Sequence, residues 1–361
     1  MLASRLRRSQ TPRLMVLAFI AGTLAAVSSA GAQEFQDLKK PATPLILQSQ
    51  GSFTVGGDII FSDALGSGGS GHIAVDQMYV QYKVPPSSRV PVVMVHGADL
   101  SGKSYETTPD GRMGWDEYFV RKGHAVYLPD QVSRARSGFD PTVFNHVQSG
   151  TVPPSTQPSI SRFSNEQAWT VFRFGPTFGV PYPDEQFPVE AADRFAKQIV
   201  PDLNAMLPVP NPTHRALSDL ALSLKGAVLM GHSETGRAPL EAALINAAGI
   251  RGMIVIEPPG GCGGAHYTDQ QIATLARLPI LVVFGDHLTA EPRNWREAFE
   301  NCKAFIARIN AAKGNAKMLY PPELGIPGNS HMIMQDKNNL QIADLILDWI
   351  DRNVGTKVTS N

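Results

Sequence analysis

The fold prediction starts from one stretch, Ala227-Val228-Leu229-Met230-Gly231-His232-Ser233-Glu234-Thr235-Gly236. Its apolar first half leads directly into a Gly-x-Ser turn, and a helix-prone segment follows at once. This order of strand, sharp turn and helix predicts that Ser233 stands on a strained turn at the end of a buried strand. The turn needs small residues two positions before and after the serine. Gly231 meets the first requirement, whereas Thr235 occupies the second position and Gly236 comes one residue late. Gly-x-Ser alone is a weak signal, since many strands end in a polar turn.

The rest of the chain alternates short apolar segments with helix-like segments. Strands are predicted at residues 52–62, 77–84, 90–95, 124–128, 226–230, 252–256, 279–284 and 316–320. Helices are predicted at residues 115–122, 189–207, 237–248, 294–312 and 338–354. Strands that alternate with helices predict an α/β fold with a mostly parallel central sheet that is flanked by helices.

One segment, residues 131–219, interrupts this alternation. It is rich in proline, and aromatic residues are interleaved with the prolines. Because disordered linkers are poor in aromatic residues, the segment is not simply a linker. We predict a cap that is inserted between core strands and covers the pocket, since long ordered loops in compact domains tend to be functional. The alternative is a packed excursion without a lid role.

The first 32 residues predict a signal peptide. Four arginines precede an apolar run at residues 14–27, and Ala30-Gly31-Ala32 supplies the small residues of a cleavage site. We predict cleavage after Ala32, a periplasmic or secreted product, and one α/β domain over residues 33–361 with the cap inserted in it. No later segment is long and apolar enough to span a membrane.

Charge narrows the class of partner. The chain has 32 basic and 32 acidic residues, so removal of the four leader arginines leaves 28 basic residues against 32 acidic ones. A mature chain without a basic surplus is a poor partner for nucleic acid. The expected partner is a small molecule, and the oligomeric state stays open, with a homodimer as one option.

The cysteine pattern predicts a disulfide rather than a metal site. Cys262 and Cys302 are the two cysteines of the chain. An even count in an exported protein favours a bond between them, and two buried thiols are the alternative. No cluster of Cys or His has ligand spacing, and the glycine-rich turn at residues 66–71 lacks the lysine and the following helix of a nucleotide-binding loop. The sequence therefore predicts neither a metal nor a cofactor.

Reactive side chains follow several of the predicted strands. The carboxyl ends of parallel strands meet at one edge of the sheet, so these residues are expected to lie together. Acyl transfer needs a nucleophile, an imidazole base and an acid that orients the base. Ser233 is the candidate nucleophile, and His331 follows the last strand, as expected for the chain order serine, acid, histidine. Glu257 and Asp286 both fit as the acid, and spacing alone favours Asp286.

Longer motifs add a resemblance to a known family. The chain resembles a group of secreted bacterial esterases of the α/β-hydrolase superfamily at residues 96–102, 105–119, 231–236, 282–287 and 328–332. In that group the acid is a glutamate after the strand that follows the nucleophile helix. The resemblance thus implies Ser233, Glu257 and His331 as the triad, with Asp286 in a supporting role. The chain departs from the group at residues 98–99, where adjacent cysteines can occur.

The oxyanion hole is predicted to consist of two backbone N–H groups. They belong to Glu234, which follows the nucleophile, and to Ala98, which follows a His-Gly pair. Only the backbone is needed at these positions. The side chains of Glu234 and Asp99 would nevertheless put negative charge near the mouth of the site, and this predicts poor turnover of anionic substrates.

The leading prediction is a serine carboxylesterase that hydrolyses small or aryl carboxylic esters through an acyl-enzyme. A lactonase or a polyester hydrolase would use the same triad under a different cap. The alternative of another class is a catalytically inactive hydrolase fold that binds a ligand. Because such chains usually lose the serine or the histidine, and both are present here, the enzyme is preferred.

Overall fold

A computed structural model of the chain describes residues 35–87, 89–203 and 207–355. The predicted signal peptide, residues 1–32, lies outside the described residues, and so does its cleavage site.

A central sheet organises the fold. Among the described residues it has eight strands, in the order β1-β2-β4-β3-β5-β6-β7-β8. They are β1 (Ser49–Ser62), β2 (Gly71–Val84), β3 (Arg89–Val95), β4 (His124–Pro129), β5 (Ala227–His232), β6 (Ile250–Ile256), β7 (Ile280–Val283) and β8 (Ala316–Leu319). Strands β3 to β8 pair in parallel, whereas β1 and β2 form an antiparallel hairpin that is antiparallel to β4. The predicted mostly parallel sheet is confirmed.

Helices lie beside the sheet. They are α1 (Trp115–Arg121), α2 (Thr142–Gln148), α3 (Asn165–Val171), α4 (Ala192–Ala196), α5 (Pro212–Ser223), α6 (Ala238–Ile245), α7 (Asp269–Leu275), α8 (Trp295–Ala311) and α9 (Asn339–Asn353). Within residues 35–355, apart from the short gaps, none of the helices combines the length and the apolar character that crossing a membrane requires.

The two faces of the sheet are both buried, which explains the continuous apolar runs in its sequence. Alternate residues of β5 join different cores: Leu229 packs with the layer of α5, α6 and α8, whereas Met230 packs with the layer of α1 and α9. Full burial of such a side chain contributes about 1.5–3 kcal/mol to stability. Burial on both faces therefore keeps β5 in the middle of the sheet, between β3 and β6. The turn that carries Ser233 starts from the carboxyl end of this buried strand.

The helix predicted over residues 189–207 is present only in part, and the prediction is wrong for the described residues after Ala196. A short 3-10 turn, Val189–Ala191, is followed by α4, which ends at Ala196. The chain then leaves the helix because the backbone N–H of Val200 donates to the carbonyl of Asp99 at 2.9 Å, in the loop after β3. A tertiary hydrogen bond thus replaces the helical one, and Pro201 could not have continued the helix.

The predicted cap segment contains α2, α3 and α4. Five of its aromatic side chains are buried in the core on the α9 side of the sheet, namely Trp169, Phe172, Phe174, Phe187 and Phe195. Its last predicted residues, 212–219, instead belong to α5. This helix packs against α6 and β1 and forms part of the layer that flanks the sheet. The excursion from the sheet therefore ends before Pro212, which starts α5 with the Asn211 side chain as its cap.

The predicted bond between Cys262 and Cys302 is present. It joins the glycine-rich loop after β6 to the middle of α8, and both cysteines are buried in the core. This loop follows Glu257 directly, so the disulfide restrains the chain next to Glu257.

Candidate active site

The turn after β5 explains the displaced glycine of the sequence pattern. Ser233 has a φ of 56°, a strained conformation for a residue with a side chain. A Cβ at Gly231 would lie 2.0 Å from the carbonyl oxygen of Thr235, and a Cβ at Gly236 would lie 2.9 Å from Cα of Pro258. The second close approach therefore occurs at residue 236 and not at residue 235.

At the position where a glycine was expected, the side chain of Thr235 forms hydrogen bonds with the backbone. Its hydroxyl lies 2.9 Å from the carbonyl of His96 and 3.1 Å from that of Val95, and it accepts the backbone N–H of His232 at 3.2 Å. These contacts tie the turn that carries Ser233 to the end of β3. The hydroxyl thus supports the same geometry that a glycine would merely permit.

The three residues that the resemblance implied lie in contact with one another. The hydroxyl oxygen of Ser233 is 2.9 Å from Nε2 of His331, and Nδ1 of His331 contacts Oε2 of Glu257. Their exposed fractions are 7%, 1% and 0%, respectively. Ser233 follows β5, Glu257 follows β6, and His331 lies on the loop between β8 and α9, so all three meet at the carboxyl edge of the sheet.

Aromatic side chains fix the ring of His331. Phe172 stacks on it with ring centres 5.6 Å apart and planes 12° apart, and Trp295 packs beside it at 4.5 Å. The backbone N–H of His331 donates to the carbonyl of Phe172 at 2.9 Å. The buried His232 donates from Nε2 to the carbonyl of His331 at 2.8 Å. The imidazole therefore has little freedom to leave Ser233.

A buried carboxylate shapes the loop that carries His331. Asp336 accepts the backbone N–H of Ser330 at 2.8 Å, the hydroxyl of Ser330 at 2.6 Å and the side-chain amide of Asn329 at 2.9 Å. Burial raises the pKa of Asp336 to about 7 against the lowering effect of these donors. The neighbours of His331 in the sequence are thus anchored independently of the triad contacts.

Glu257 is held by an arginine from the inserted segment. Arg173, directly after α3, is fully buried; its guanidinium contacts Oε1 of Glu257 and donates from Nε to the carbonyl of Asp286 at 2.7 Å. The backbone N–H of Gly285 also donates to Oε1. Burial alone would raise the pKa of Glu257, but the charges of Arg173 and His331 lower it to about 2. The carboxylate is therefore ionised.

Asp286, the other acid that the sequence allowed, lies outside contact with the His331 ring. Its Oδ2 accepts the backbone N–H of Gly328 at 3.0 Å, and its own N–H donates to the carbonyl of Asn329 at 2.7 Å. These bonds connect the end of β7 to the His331 loop. Asp286 supports the position of the loop, whereas Glu257 contacts the ring.

The protonation of His331 follows from its surroundings. Burial lowers the pKa of His331, the charge of Glu257 raises it, and the charges of Arg173 and Arg293 lower it further, so that the net shift is downward. The ring is therefore neutral at neutral pH. Because the ionised Glu257 accepts a hydrogen bond from Nδ1–H, Nε2 carries no proton and is free to accept a hydrogen bond from the hydroxyl of Ser233.

The backbone around residue 98 approaches Ser233 closely. A Cβ at Gly97 would lie 2.7 Å from Cβ of Ser233, so only glycine allows the approach. Ala98 and Glu234 line a cavity of about 320 Å³ together with Ser233. Within the described part of the chain, no group accepts a hydrogen bond from the Ala98 N–H. This donor is therefore available at the wall beside the serine.

His96 supports this loop from behind. It is buried, and burial lowers its pKa to about 4. The neutral ring donates from Nδ1 to the carbonyl of Gly97 at 2.9 Å and accepts the backbone N–H of Gln131 at Nε2, at 3.1 Å. His96 thereby fixes the peptide that precedes Ala98.

The acidic side chains near the mouth are turned inward. Asp99 is only 2% exposed, and the Glu234 side chain is 21% exposed. Arg134, itself buried, contacts Asp202 and lies 3.3 Å from Oε2 of Glu234. Burial raises the pKa of both Asp99 and Glu234. The exposed negative charge that the sequence suggested is therefore largely absent from the mouth.

One side-chain cluster has the composition of a cation site. Asp184, Asp286 and His287 each place one ligand atom within 4.8 Å of the others. His287 lies 3.2 Å from Asp184 and stacks on Tyr182 at 3.8 Å, and the carboxylate of Asp286 accepts backbone N–H groups. These protein contacts account for the arrangement without an ion.

Three residues that carried no sequence motif contact the triad directly. Arg173 contacts Glu257, and Phe172 and Trp295 pack on the ring of His331.

Comparison with known proteins agrees with this architecture. No family model matches the chain. The solved structure of a bacterial esterase is 45% identical, superposes with a TM-score of 0.83, and is matched over 88% of this chain and 99% of that protein. A protein named "Probable secreted lipase phiG", from Fungal sp. (strain ATCC 74256), is 25% identical over 76% of this chain and 86% of its own length. From its sheet and this likeness over nearly the whole esterase, the chain belongs to the esterase family of the α/β-hydrolase fold.

Proposed function

We propose that the protein is a serine carboxylesterase whose nucleophile is Ser233. The observation that carries the proposal is the contact chain from the hydroxyl of Ser233 to Nε2 of His331, at 2.9 Å, and from Nδ1 of His331 to the ionised Glu257. Such a chain lets an imidazole take a hydroxyl proton while a carboxylate stabilises the imidazolium that forms.

The reaction has two halves. The oxygen of Ser233 attacks the ester carbonyl as His331 accepts its proton, and the backbone N–H groups of Ala98 and Glu234 stabilise the developing oxyanion. His331 then returns the proton to the departing alcohol, which leaves an acyl group on Ser233. Water, activated by the same imidazole, attacks the acyl-enzyme and releases the carboxylic acid.

The inserted segment supports a preference for small or aryl esters. Phe163, Val171 and Phe172 come from this segment and line the cavity of about 320 Å³ that contains Ser233. Pro258 and Pro259 add further apolar surface to its lining. In this proposal residues 131–211 form a cap over the site, and the cavity suits an acyl or aryl group of moderate size.

An exported location completes the proposal. The disulfide between Cys262 and Cys302 suits an oxidising compartment, and the fungal relative bears the name of a secreted lipase. The protein would be secreted or periplasmic after loss of residues 1–32.

The alternative, an inactive hydrolase fold that binds a ligand, differs in one measurable property. A fluorophosphonate probe is expected to label the mature protein stoichiometrically, with the added mass on the peptide that contains Ser233, because only a serine activated by a base attacks the phosphorus rapidly. Mass spectrometry after proteolysis locates the label. Absence of labelling, in a protein shown to be folded by circular dichroism, would support the binding protein instead.

Replacing Arg173 by methionine is expected to lower kcat/KM about 10²-fold, because Glu257 loses a contact that positions it against His331. The substitution also removes a charge that lowers the pKa of His331. That pKa should therefore rise, more of His331 should be protonated at acidic pH, and the acidic limb of the kcat/KM profile should move to higher pH. Arg173→Lys keeps the charge and should return the limb toward its original position.

Thermal unfolding of the same variants separates positioning from folding. Loss of one partner of a buried pair costs about 3–5 kcal/mol, so the assays are made well below the unfolding temperature of Arg173→Met. Arg308→Met is the matched control. Arg308, on α8, pairs with Asp269, the first residue of α7, at 2.8 Å. An acidic limb that stays in place in Arg173→Met would show that Arg173 has only a structural role.

A further inference from the structure

Two arginines line the cavity that contains Ser233. Arg237 and Arg293 form parts of its wall, and both are exposed to solvent. Within residues 35–87, 89–203 and 207–355, neither of them lies within salt-bridge distance of a carboxylate. Their positive charges are therefore available to a molecule that enters the cavity.

Arg293 lines the same cavity as Ser233. It stands two residues before Trp295, whose ring packs at 4.5 Å on the ring of His331. Its charge also contributes to the lowered pKa of His331. It also lines an adjoining cavity of about 620 Å³, which Arg162 and Phe163 share. The two cavities share Arg293, Phe163 and Ala98 in their walls, so Arg293 lines both.

The acids in the same walls do not cancel these charges. Glu234 lines the cavity of Ser233 as well as the adjoining one, and Asp99 and Asp202 line the adjoining one. Asp202 and Glu234 contact the buried Arg134, and Asp99 is itself buried. A carboxylate that already has a cationic partner attracts a second cation weakly. The exposed charge around Ser233 is consequently positive, although the sequence alone suggested the opposite sign.

We propose that the natural ester carries a carboxylate, which Arg293 binds with the help of Arg237 while the ester carbonyl lies at Ser233. This inference rests on the proposed esterase function and adds a substrate class to it. A guanidinium presents a planar pair of donors that matches the two oxygens of a carboxylate. The carboxylate is recognised and not consumed: water adds across the ester bond, and the acid and the alcohol leave.

Two matched pairs of substrates test the proposal. Monoethyl adipate is compared with ethyl hexanoate, which places the charge on the acyl part, and 3-(4-acetoxyphenyl)propanoate is compared with its amide, which places the charge on the alcohol part. In at least one pair the wild-type enzyme is expected to favour the anionic member about tenfold in kcat/KM, and this preference should shrink as salt is raised. The pair that shows the preference assigns the side of the ester that carries the charge.

Arginine variants connect the preference to the site. Arg293→Gln is expected to lower the ratio of anionic to neutral kcat/KM about tenfold, and Arg237→Gln is expected to lower it by a smaller factor. The ratio is used because Arg293 also affects His331, and this effect is common to both members of a pair. Arg215→Gln is the matched control: Arg215 is exposed on α5, outside the walls of the cavity, and the ratio should not change.

The outcomes separate this inference from the proposed function. Hydrolysis of the neutral esters without a preference for either anionic member would overturn the inference and leave the esterase intact. A preference that Arg293→Gln and Arg237→Gln both retain would overturn it as well, because the charge would then be recognised elsewhere. Failure to hydrolyse any of the four compounds, together with absent fluorophosphonate labelling, would instead reject the proposed function.

Discussion

Replacing Ser233 by alanine is expected to lower kcat about 10⁴- to 10⁶-fold while the protein stays folded. The large loss follows from the proposed role of the hydroxyl, since no other group in the contact chain with His331 and Glu257 can form the acyl-enzyme. A weak residual rate should remain from the oxyanion donors and from substrate binding. Steady-state kinetics on a neutral ester measures the loss, and thermal unfolding shows whether the fold is kept.

A second serine provides the control for this variant. Ser223 lies at the end of α5, where its hydroxyl donates to the carbonyl of Leu220 at 2.8 Å. Ser223→Ala should leave the activity unchanged, because this hydroxyl is remote from the site. An unaltered rate in Ser233→Ala would reject the nucleophile assignment and with it the acyl-enzyme mechanism.

Replacing Glu257 by glutamine is expected to lower kcat about 10⁴-fold, whereas Asp286→Asn is expected to lower it less than about tenfold. The difference follows from the contacts: Glu257 accepts the Nδ1–H of His331, but Asp286 bonds backbone groups of the loop that carries it. A neutral amide at residue 257 neither stabilises the imidazolium nor selects the tautomer with Nε2 free. Parallel measurements of kcat on the two variants compare the assignments directly.

Stability has to be measured alongside these rates. Glu257→Gln leaves the guanidinium of Arg173 buried without its anionic partner, which costs about 3–5 kcal/mol. The assays are therefore made at a temperature where both variants are folded, as monitored by circular dichroism. A larger loss of kcat in Asp286→Asn than in Glu257→Gln would show that the triad acid has been assigned wrongly.

Much of the fold was predictable because it depends on local patterns. Apolar runs such as Val228–Met230 occur in strands that are buried on both faces, and amphipathic segments such as the one at Asn339–Asn353 occur in helices that lie on the sheet. The helix predicted over residues 189–207 continues only to Ala196, because a contact with a distant part of the chain ends it. There the hydrogen bond between Val200 and Asp99 is made by residues far apart in the chain, and periodicity carries no information about it.

The candidate site shows the same division. Chain order pointed to Ser233 and His331, since the direction of a parallel sheet brings the ends of its strands to one edge. It did not point to Arg173, because an arginine within an aromatic-rich segment has no motif, and its meeting with Glu257 depends on how the inserted segment packs. Spacing likewise did not identify Glu257: both acids fitted, spacing alone favoured Asp286, and only the resemblance to a family favoured the glutamate.

By itself, the sequence determined the α/β class, the positions of the main strands along the chain, the turn that carries Ser233 and the place of His331 after the last strand. Periodicity and order along the chain encode these features. Only the tertiary structure decided which carboxylate contacts His331, why Gly236 stands one residue late, and that the exposed charge beside Ser233 comes from Arg237 and Arg293. These features depend on distances between remote segments, and such distances are set by packing and burial after the chain has folded.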